Sequence, residues 1–178
     1  MQTIKWGPGL WTSIHCMSFN YPENPSYDDK KKYSDFFNLL GDMLPCVYCR
    51  KSYKTYMKNM PIDDFLEDRL GCTIWAFVLH NLVNAKIGKP LIDFKECVEI
   101  YEKMRAKCGK VIENAVEYET CRRNAETLDP ITINNFVTNA TNKYSYLIKQ
   151  CKERLNNDPE NPNKEACLCR HKIYYDRF

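Results

Sequence analysis

Apolar residues recur at three- and four-residue spacing through the first half of this chain. Residues 8–20 carry Trp11, His15 and Phe19 on one helical face, and the same pattern resumes after Ser26. No window alternates apolar and polar residues as a half-buried strand does. The periodicity therefore predicts an all-α fold.

Caps and breakers divide the first half into five predicted helices. Ser26, followed by two acidic residues, opens the second helix, and a Cys-x-x-Cys pair starts the third. The fourth covers residues 72–87 and is closed by Gly88, and the fifth runs from about 93 to 107. We expect residues 1–108 to form a bundle of four helices plus a short fifth.

The composition becomes polar after Gly109. Residues 111–127 and 131–156 can each form a helix, whereas residues 156–163 are rich in Asn and Pro and typical of a loop. We expect residues 109–178 to be a C-terminal helical extension that ends in a Cys-x-Cys tail.

Ten cysteines distinguish this chain of 178 residues, which starts without the apolar core of a signal peptide. In a reducing cytosol such cysteine usage indicates metal or redox chemistry more often than structural crosslinks. No apolar run approaches the roughly 18 residues of a membrane span. The net charge is only +3, with acidic and basic residues interspersed, so we expect no nucleic-acid partner and no membrane span.

Cys46 and Cys49 form the Cys-x-x-Cys pair at the predicted start of the third helix. Pro45 suits the entry to that helix, and Arg50 and Lys51 add positive charge. A helix N-terminus and nearby cations both stabilise a thiolate. The motif by itself remains open between redox chemistry and zinc binding.

The fourth helix carries a polar face within an apolar segment. His80 and Asn84 lie one turn apart, and Trp75 and Asn81 border them. Together with Lys86 and Lys89, these residues suit a planar, phosphate-bearing ligand. The alternative is an ordinary amphipathic helix with a satisfied histidine and solvated lysines. The first helix also pairs a tryptophan with a histidine one turn away, which favours the ligand.

Four separated segments closely resemble the Erv/ALR sulfhydryl oxidases, in the same order and at similar spacing. They are Trp6-Gly7-Pro8 through Trp11 to His15, Tyr21-Pro22, Pro45 to Cys49, and Trp75 through Asn84 to Gly88-Lys89-Pro90. The resemblance covers about residues 4–107 and is strongest to the compact forms of large cytoplasmic DNA viruses. It implies an FAD-dependent enzyme on a helical bundle, which oxidises protein thiols to disulfides and passes electrons to O₂, giving hydrogen peroxide.

The resemblance also implies a role for each matching residue. Cys46 would be attacked by an incoming thiolate, and Cys49 would lie against the flavin and reduce it. The residues implied to line the FAD site are Gly7, Trp11, His15, Trp75, His80, Asn81, Val83, Asn84, Lys86, Lys89 and Tyr101. The implied partners are a protein dithiol, thioredoxin-like or viral, and a second copy of the chain. The implied location is the cytoplasm of an infected cell or the virion.

One departure from the family pattern concerns a disulfide that links the fourth helix to the next in many members. Phe77 and Phe94 occupy the matching positions, and we expect them to pack together instead. Cys72 and Cys97 are nearby alternatives whose pairing the sequence does not determine. Cys16 is interpreted as a buried small hydrophobic residue.

The tail pair Cys167 and Cys169 has two open interpretations. It resembles the shuttle dithiols of some family members, which carry electrons from a substrate to Cys46, and the preceding linker would supply reach. Alternatively the tail is stapled by a disulfide to Cys108, Cys121 or Cys151. Cys121 and Cys151 can also clip the two polar helices together.

A zinc-binding interaction domain is the rival function. Its candidate ligands are Cys46, Cys49, Cys167, Cys169 and His171. Zinc sites usually combine two close pairs, and Cys-x-Cys is a poorer pair than Cys-x-x-Cys. Zinc also leaves the polar face around His80 without a role, so we expect no metal. A disulfide-stapled helical protein with a decayed FAD site is a third interpretation, which the intact motifs oppose.

Overall fold

The computed structural model describes residues 1–104 and 130–164, which form helices and turns without a strand. The α-helices are α1 (Thr3–Phe19), α2 (Tyr27–Met43), α3 (Val47–Asn59), α4 (Arg69–Ile87), α5 (Phe94–Met104) and α6 (Pro130–Asn157), with a 3₁₀ turn at Ile62–Phe65. The all-α prediction is confirmed. The predictions that fall on residues 111–127, Cys108, Cys121, Cys167, Cys169 and His171 lie outside the described residues.

Helix ends follow the predicted caps, with one difference at α4. Ser26 Oγ accepts the backbone N–H of Asp29 at 3.1 Å, and the Asp29 carboxylate accepts that of Ser26 at 2.9 Å. Gly88 ends α4 in the left-handed conformation, with φ of 69°. The helix begins three residues earlier than predicted because the Asp68 carboxylate caps Gly71 N–H at 2.8 Å.

The first helix also begins earlier than the predicted residue 8 and continues through Pro8. A proline inside a helix removes the hydrogen bond to the carbonyl of the fourth preceding residue. That residue is Ile4, which is 50% exposed, so its carbonyl can be solvated. Exposure of the first turn therefore makes the interior proline tolerable.

Helix α4 lies at the centre of the bundle. Trp75 is fully buried, donates its indole N–H to the Met60 carbonyl at 3.1 Å and packs against Phe37 with ring centroids 4.9 Å apart. The helix is long and apolar enough to cross a membrane by length and composition alone. Half of that apolar window is buried against neighbouring helices, as in the core helix of a globular bundle.

The C-terminal helix α6 packs against α3, α4 and α5. Tyr144 donates to the Asp68 carboxylate at 3.0 Å, and Lys143 forms an ion pair with the same carboxylate at 2.7 Å. The Asp68 carboxylate that caps α4 therefore also anchors α6. The extension shares the core of the bundle over its described residues.

The loop that follows α6 is docked on the bundle through its polar side chains. The Asp158 carboxylate accepts from Asn59 at 2.8 Å, from Lys58 at 3.0 Å and from the Glu160 backbone N–H at 2.9 Å. These donors hold its pKa at about 2, with the hydrogen bond from Asn59 the largest cause. An Asn- and Pro-rich segment that composition assigns only to a loop is thus fixed against α3.

Two of the cysteine expectations can be compared with the described residues. Phe77 and Phe94 pack with ring centroids 4.8 Å apart at 48°, which confirms the predicted aromatic pair. Cys72 and Cys97 are both buried and are not joined by a disulfide. The interpretation of Cys16 as buried is wrong, because its neighbour on α1 faces the core and Cys16 is rotated outward into solvent.

Candidate active site

Cys46 is the N-cap residue of α3, and Cys49 lies in the first turn of that helix. The Cys46 sulfur accepts the backbone N–H of Cys49, with Sγ and N 3.3 Å apart. Both cysteines are partly buried, while the two residues between them, Val47 and Tyr48, are 50% and 46% exposed. A sulfur at this position is placed where the helix N-terminus favours a thiolate.

The loop that leads into the cysteine pair is held by two cations of α3. Arg50 donates to the Leu44 carbonyl at 2.6 Å, and Lys54 forms an ion pair with Asp42 on α2 at 2.7 Å. The ion pair is exposed, so it contributes little stability on its own. The Arg50 bond closes the turn directly before the motif and orients the first turn of α3.

Side chains connect the cysteine helix to the C-terminal half of α4. Lys86 donates to the hydroxyl of Ser52, which is one turn after Cys49 on α3. Further along, the Tyr56 hydroxyl oxygen lies 3.4 Å from the Leu82 carbonyl oxygen. The cysteine pair is therefore carried by the helix that borders the predicted cofactor residues of α4.

Four rings from three helices form what we call the aromatic cluster: Trp11, His15, His80 and Tyr101. The Trp11 and His80 rings are stacked, with centroids 4.1 Å apart and planes at 6°. Tyr101 stacks on His15 at 4.5 Å, and His15 Nε2 lies 3.0 Å from His80 Nδ1. The structure thus brings together residues from three separate segments of the sequence that were predicted to share one site.

Both imidazoles of the cluster are neutral at physiological pH. Burial lowers the pKa of His15 to about 3, with a smaller contribution from His80. Burial likewise lowers the pKa of His80 to about 4, helped by the Lys89 ammonium. Each ring can therefore donate one hydrogen bond and accept one, which suits recognition of a planar polar ring.

Several other predicted cofactor residues have partners within the protein. The Asn81 amide exchanges two 2.9 Å hydrogen bonds with the backbone of Ile92 and so orders the connection between α4 and α5. Trp75 is enclosed in the core, as described above. Val83 is partly buried, Asn84 is buried and Lys89 is exposed. Direct contact of these residues with a cofactor remains a prediction.

Two residues that the sequence did not assign to the site have polar groups of interest. The indole N–H of Trp6 is buried and has no hydrogen-bond partner among the described residues. Cys97 lies with its sulfur 3.8 Å from His15 Nδ1. Its spacing of four residues from Tyr101, on the same face of α5, is the signal that points to it.

The residues present fit a flavin nucleotide. The aromatic cluster supplies flat rings for stacking, and Trp6, on the helix that carries Trp11 and His15, has an unsatisfied buried donor. The backbone at Gly7 is open to close approach, because a Cβ added there would meet no atom within 4 Å. Lys86 and Lys89 add positive charge at the end of α4, which suits phosphate groups.

The described residues do not favour the zinc interpretation. Within residues 1–104 and 130–164, no three His, Cys, Asp or Glu side chains converge into a metal site.

A separate cavity of about 340 Å³ lies where the start of α4 meets α5 and α6, and its lining includes Arg69, Glu102 and Ile133 but none of the predicted site residues.

Comparison with known proteins assigns the chain to a family. Residues 8–107, more than half of the chain, match the Erv1 / Alr family. The chain belongs to the Erv1 / Alr family. The matched range includes the cysteine pair and the whole aromatic cluster, so the residues that carry the resemblance are those that the fold brings together.

Relatives within the Erv1 / Alr family include viral proteins. A probable FAD-linked sulfhydryl oxidase of Acanthamoeba polyphaga mimivirus is 36% identical over 104 residues, which is 58% of this chain and 73% of the relative. An FAD-linked sulfhydryl oxidase of African swine fever virus is 27% identical over 115 residues, 65% of this chain and 89% of the relative.

The fold also matches solved Erv1 structures. The FAD-binding domain of Erv1 from Saccharomyces cerevisiae superposes with a TM-score of 0.54 at 27% identity, covering 57% of this chain and 94% of that domain. The yeast Erv1 core gives the same TM-score at 25% identity, covering 62% of this chain and 88% of the core. The helical bundle is therefore the Erv1 bundle.

Proposed function

We propose that this chain is an FAD-linked sulfhydryl oxidase that converts pairs of protein thiols to disulfides. The observation that carries the proposal is the position of Cys46 and Cys49 at the start of α3, alongside the helix that holds His80, in a member of the Erv1 / Alr family. The overall reaction is balanced as a dithiol plus O₂ giving a disulfide plus hydrogen peroxide. A zinc-binding interaction protein is not favoured.

The cysteine pair takes the electrons first. A substrate thiolate attacks the sulfur of Cys46 in the Cys46–Cys49 disulfide, and Cys49 leaves as a thiolate. The second substrate thiol then displaces Cys46, which leaves a substrate disulfide and two reduced cysteines. The N-terminus of α3 stabilises the Cys46 thiolate, because the backbone N–H of Cys49 points toward the Cys46 sulfur.

The cofactor is proposed to be FAD, held between α1, α4 and α5. The aromatic cluster would bind its rings, Trp6 would donate to an acceptor atom, and Lys86 and Lys89 would neutralise the phosphates. Bound FAD supplies a two-electron acceptor that O₂ can reoxidise. Cys49 is the proposed electron donor to FAD, since Cys49 lies inside α3 and Cys46 is the N-cap residue at its start.

The extension and assembly complete the proposal. Residues 1–108 would form the oxidase domain and residues 109–178 an extension, with Cys167 and Cys169 as a shuttle dithiol or a structural staple. The physiological substrate would be a thioredoxin-like or viral protein dithiol, and the enzyme would act as a homodimer. Its viral relatives support a location in the cytoplasm of an infected cell or in the virion.

Absorbance tests the cofactor assignment. The purified full chain should be yellow, with the absorbance near about 450 nm expected of an oxidised flavin. Added dithiothreitol should bleach this absorbance without oxygen, and air should restore it. A colourless protein that takes up no FAD and releases zinc to a chelator would overturn the proposal.

A further inference from the structure

Three side chains form a continuous polar contact from α5 through α1 to α4. Cys97 Sγ lies 3.8 Å from His15 Nδ1, and His15 Nε2 lies 3.0 Å from His80 Nδ1. Cys97 and His15 are 1% and 0% exposed, so no solvent competes for the contact between them. His80, at the end of the chain of contacts, has one face covered by Trp11.

The protonation states of the three groups limit how this contact can be arranged. Burial raises the pKa of the Cys97 thiol to about 12, so the sulfur carries its proton at neutral pH. Both imidazoles are neutral, and a neutral imidazole has one N–H donor and one bare acceptor nitrogen. If His15 Nδ1 accepts a hydrogen bond from Cys97, His15 must carry its proton on Nε2 and donate it to His80. The direction of the Cys97–His15 hydrogen bond therefore determines the tautomer of both rings.

We propose that Cys97 is a positioning residue, whose thiol donates to His15 Nδ1 and thereby sets His80 as a hydrogen-bond donor at Nε2. His15, with Nδ1 accepting, carries its proton on Nε2 and donates it to His80 Nδ1. His80 then carries its own proton on Nε2. Removal of the thiol lets both rings switch, after which His80 Nε2 becomes an acceptor.

The consequence concerns ligand recognition at the aromatic cluster and rests on the proposed function. With Cys97 in place, His80 Nε2 offers an N–H to an acceptor atom of a planar ligand, such as a carbonyl oxygen or ring nitrogen of FAD. With the opposite tautomer the same nitrogen would repel such an atom. Cys97 thus controls the polarity of the site without contacting the ligand.

Histidine-selective ¹⁵N NMR of the full chain with added FAD reads the tautomers directly. The chain has three histidines, and His171→Gln removes the third, so the two remaining rings are assigned by His15→Gln. We expect protonated, pyrrole-like Nε2 and bare, pyridine-like Nδ1 in both His15 and His80. Since tautomers are visible whether or not flavin binds, this result is separable from failure of the oxidase proposal.

Variants at Cys97 complete the test. Cys97→Ala should shift both rings toward the opposite tautomer and weaken FAD binding about tenfold, the loss expected for one well-aligned hydrogen bond. Cys97→Ser, which keeps a donor, should retain the wild-type tautomers. The matched control is Cys72→Ala, which removes another buried thiol, and it should leave the imidazole spectrum unchanged.

Two outcomes would overturn the proposal. One is a protonated His15 Nδ1 in the unsubstituted chain, which needs no Cys97 variant and so cannot be confused with misfolding. The other is a Cys97→Ala protein that keeps wild-type far-ultraviolet circular dichroism and unchanged tautomers.

Discussion

Tyr56 donates a 2.6 Å hydrogen bond to the side-chain oxygen of Asn163, which lies 107 residues later in the chain. The Asn163 amide in turn donates to the Leu82 carbonyl at 3.0 Å, so this one side chain joins α3 to α4. Tyr56 is two helical turns after Cys49 and on the same face of α3. Asn163 is therefore held at the level of Tyr56, about 10 Å along the helix axis from Cys49.

Removing the anchors of this loop should destabilise the protein. Asp158→Ala leaves Asn59 and Lys58 without their carboxylate, and Asn163→Ala removes the 2.6 Å acceptor of the Tyr56 hydroxyl. We expect each variant to lower Tm by roughly 3–6 °C in thermal unfolding followed by circular dichroism. Glu160→Ala, which truncates an exposed side chain of the same loop, is the control. Unchanged melting of both anchor variants would mean that the loop is not docked in solution.

The electron path predicts distinct behaviour for the cysteine pair. Cys49→Ser should retain bound FAD yet slow oxygen consumption with dithiothreitol by at least about a hundredfold, because the donor to the flavin is gone. Cys46→Ser should also be inactive, since no disulfide can form. Cys16→Ser changes an exposed thiol outside the pair and serves as the control. Continued turnover by Cys49→Ser would remove Cys49 from the path.

The tail interpretation is tested by the choice of substrate. The double variant Cys167→Ser, Cys169→Ser should oxidise dithiothreitol at the unsubstituted rate but a reduced protein roughly tenfold more slowly, because the tethered dithiol raises the effective concentration of thiols near Cys46. Equal losses on the two substrates would contradict a shuttle. A staple would instead appear as a disulfide between the tail and another cysteine in a non-reducing mass map.

Two glycines of α1 separate helix stability from cofactor contact. A Cβ added at Gly7 or Gly9 meets no atom within 4 Å. Alanine at either position should therefore stabilise α1, by about 0.5–1 kcal/mol. Only Gly7 is predicted to face FAD, so Gly7→Ala should weaken FAD binding about tenfold by titration while Gly9→Ala should not. Equal affinity of the two variants would exclude a close approach at Gly7.

The buried histidines predict a loss of stability in mild acid. Unfolded histidine binds a proton near pH 6.5, whereas His15 and His80 do so only near pH 3 and 4 when folded. The unfolded state therefore binds more protons below pH 6.5, and the free energy of unfolding falls as pH drops through that window. For His15 alone the loss is about 1.6 kcal/mol between pH 6.5 and pH 5.

Urea unfolding across that range measures the effect. His15→Gln should flatten the decline between pH 6.5 and pH 5. Asp158→Asn should leave that window unchanged and alter the slope only below about pH 4, because the pKa of Asp158 is lowered when the protein is folded and its stabilisation is lost in stronger acid. A slope at pH 5–6.5 that is insensitive to His15→Gln would show that the imidazole is solvated.

The sequence was sufficient for features that depend on local pattern. The capping box at Ser26 and the left-handed Gly88 both follow from residue type and position, since each satisfies backbone groups of its own helix. The aromatic pair of Phe77 and Phe94 was also correctly predicted. That prediction came from the family resemblance, because a contact between two helices has no local signature.

Contacts between segments that are distant in the chain could not be predicted from the sequence. Cys16 and His15 are adjacent, and only the rotation of α1 in the bundle decides which of them is buried. The docking of Asp158 on Asn59 depends on where α6 ends relative to α3. Cys97 looked like a candidate for a disulfide, and its contact with His15 appears only when α1 and α5 are packed together.

Because Phe77 and Phe94 pack together, the junction between α4 and α5 does not depend on thiol–disulfide chemistry. A packed pair of rings has no reduced form, so thiols that arrive as substrates cannot open the junction between α4 and α5 as they could open a disulfide. The protein can meet concentrated reductant and keep this junction intact. The stability of this junction therefore depends on packing, whereas the oxidation state of the proposed reactive cysteines depends on the supply of electrons.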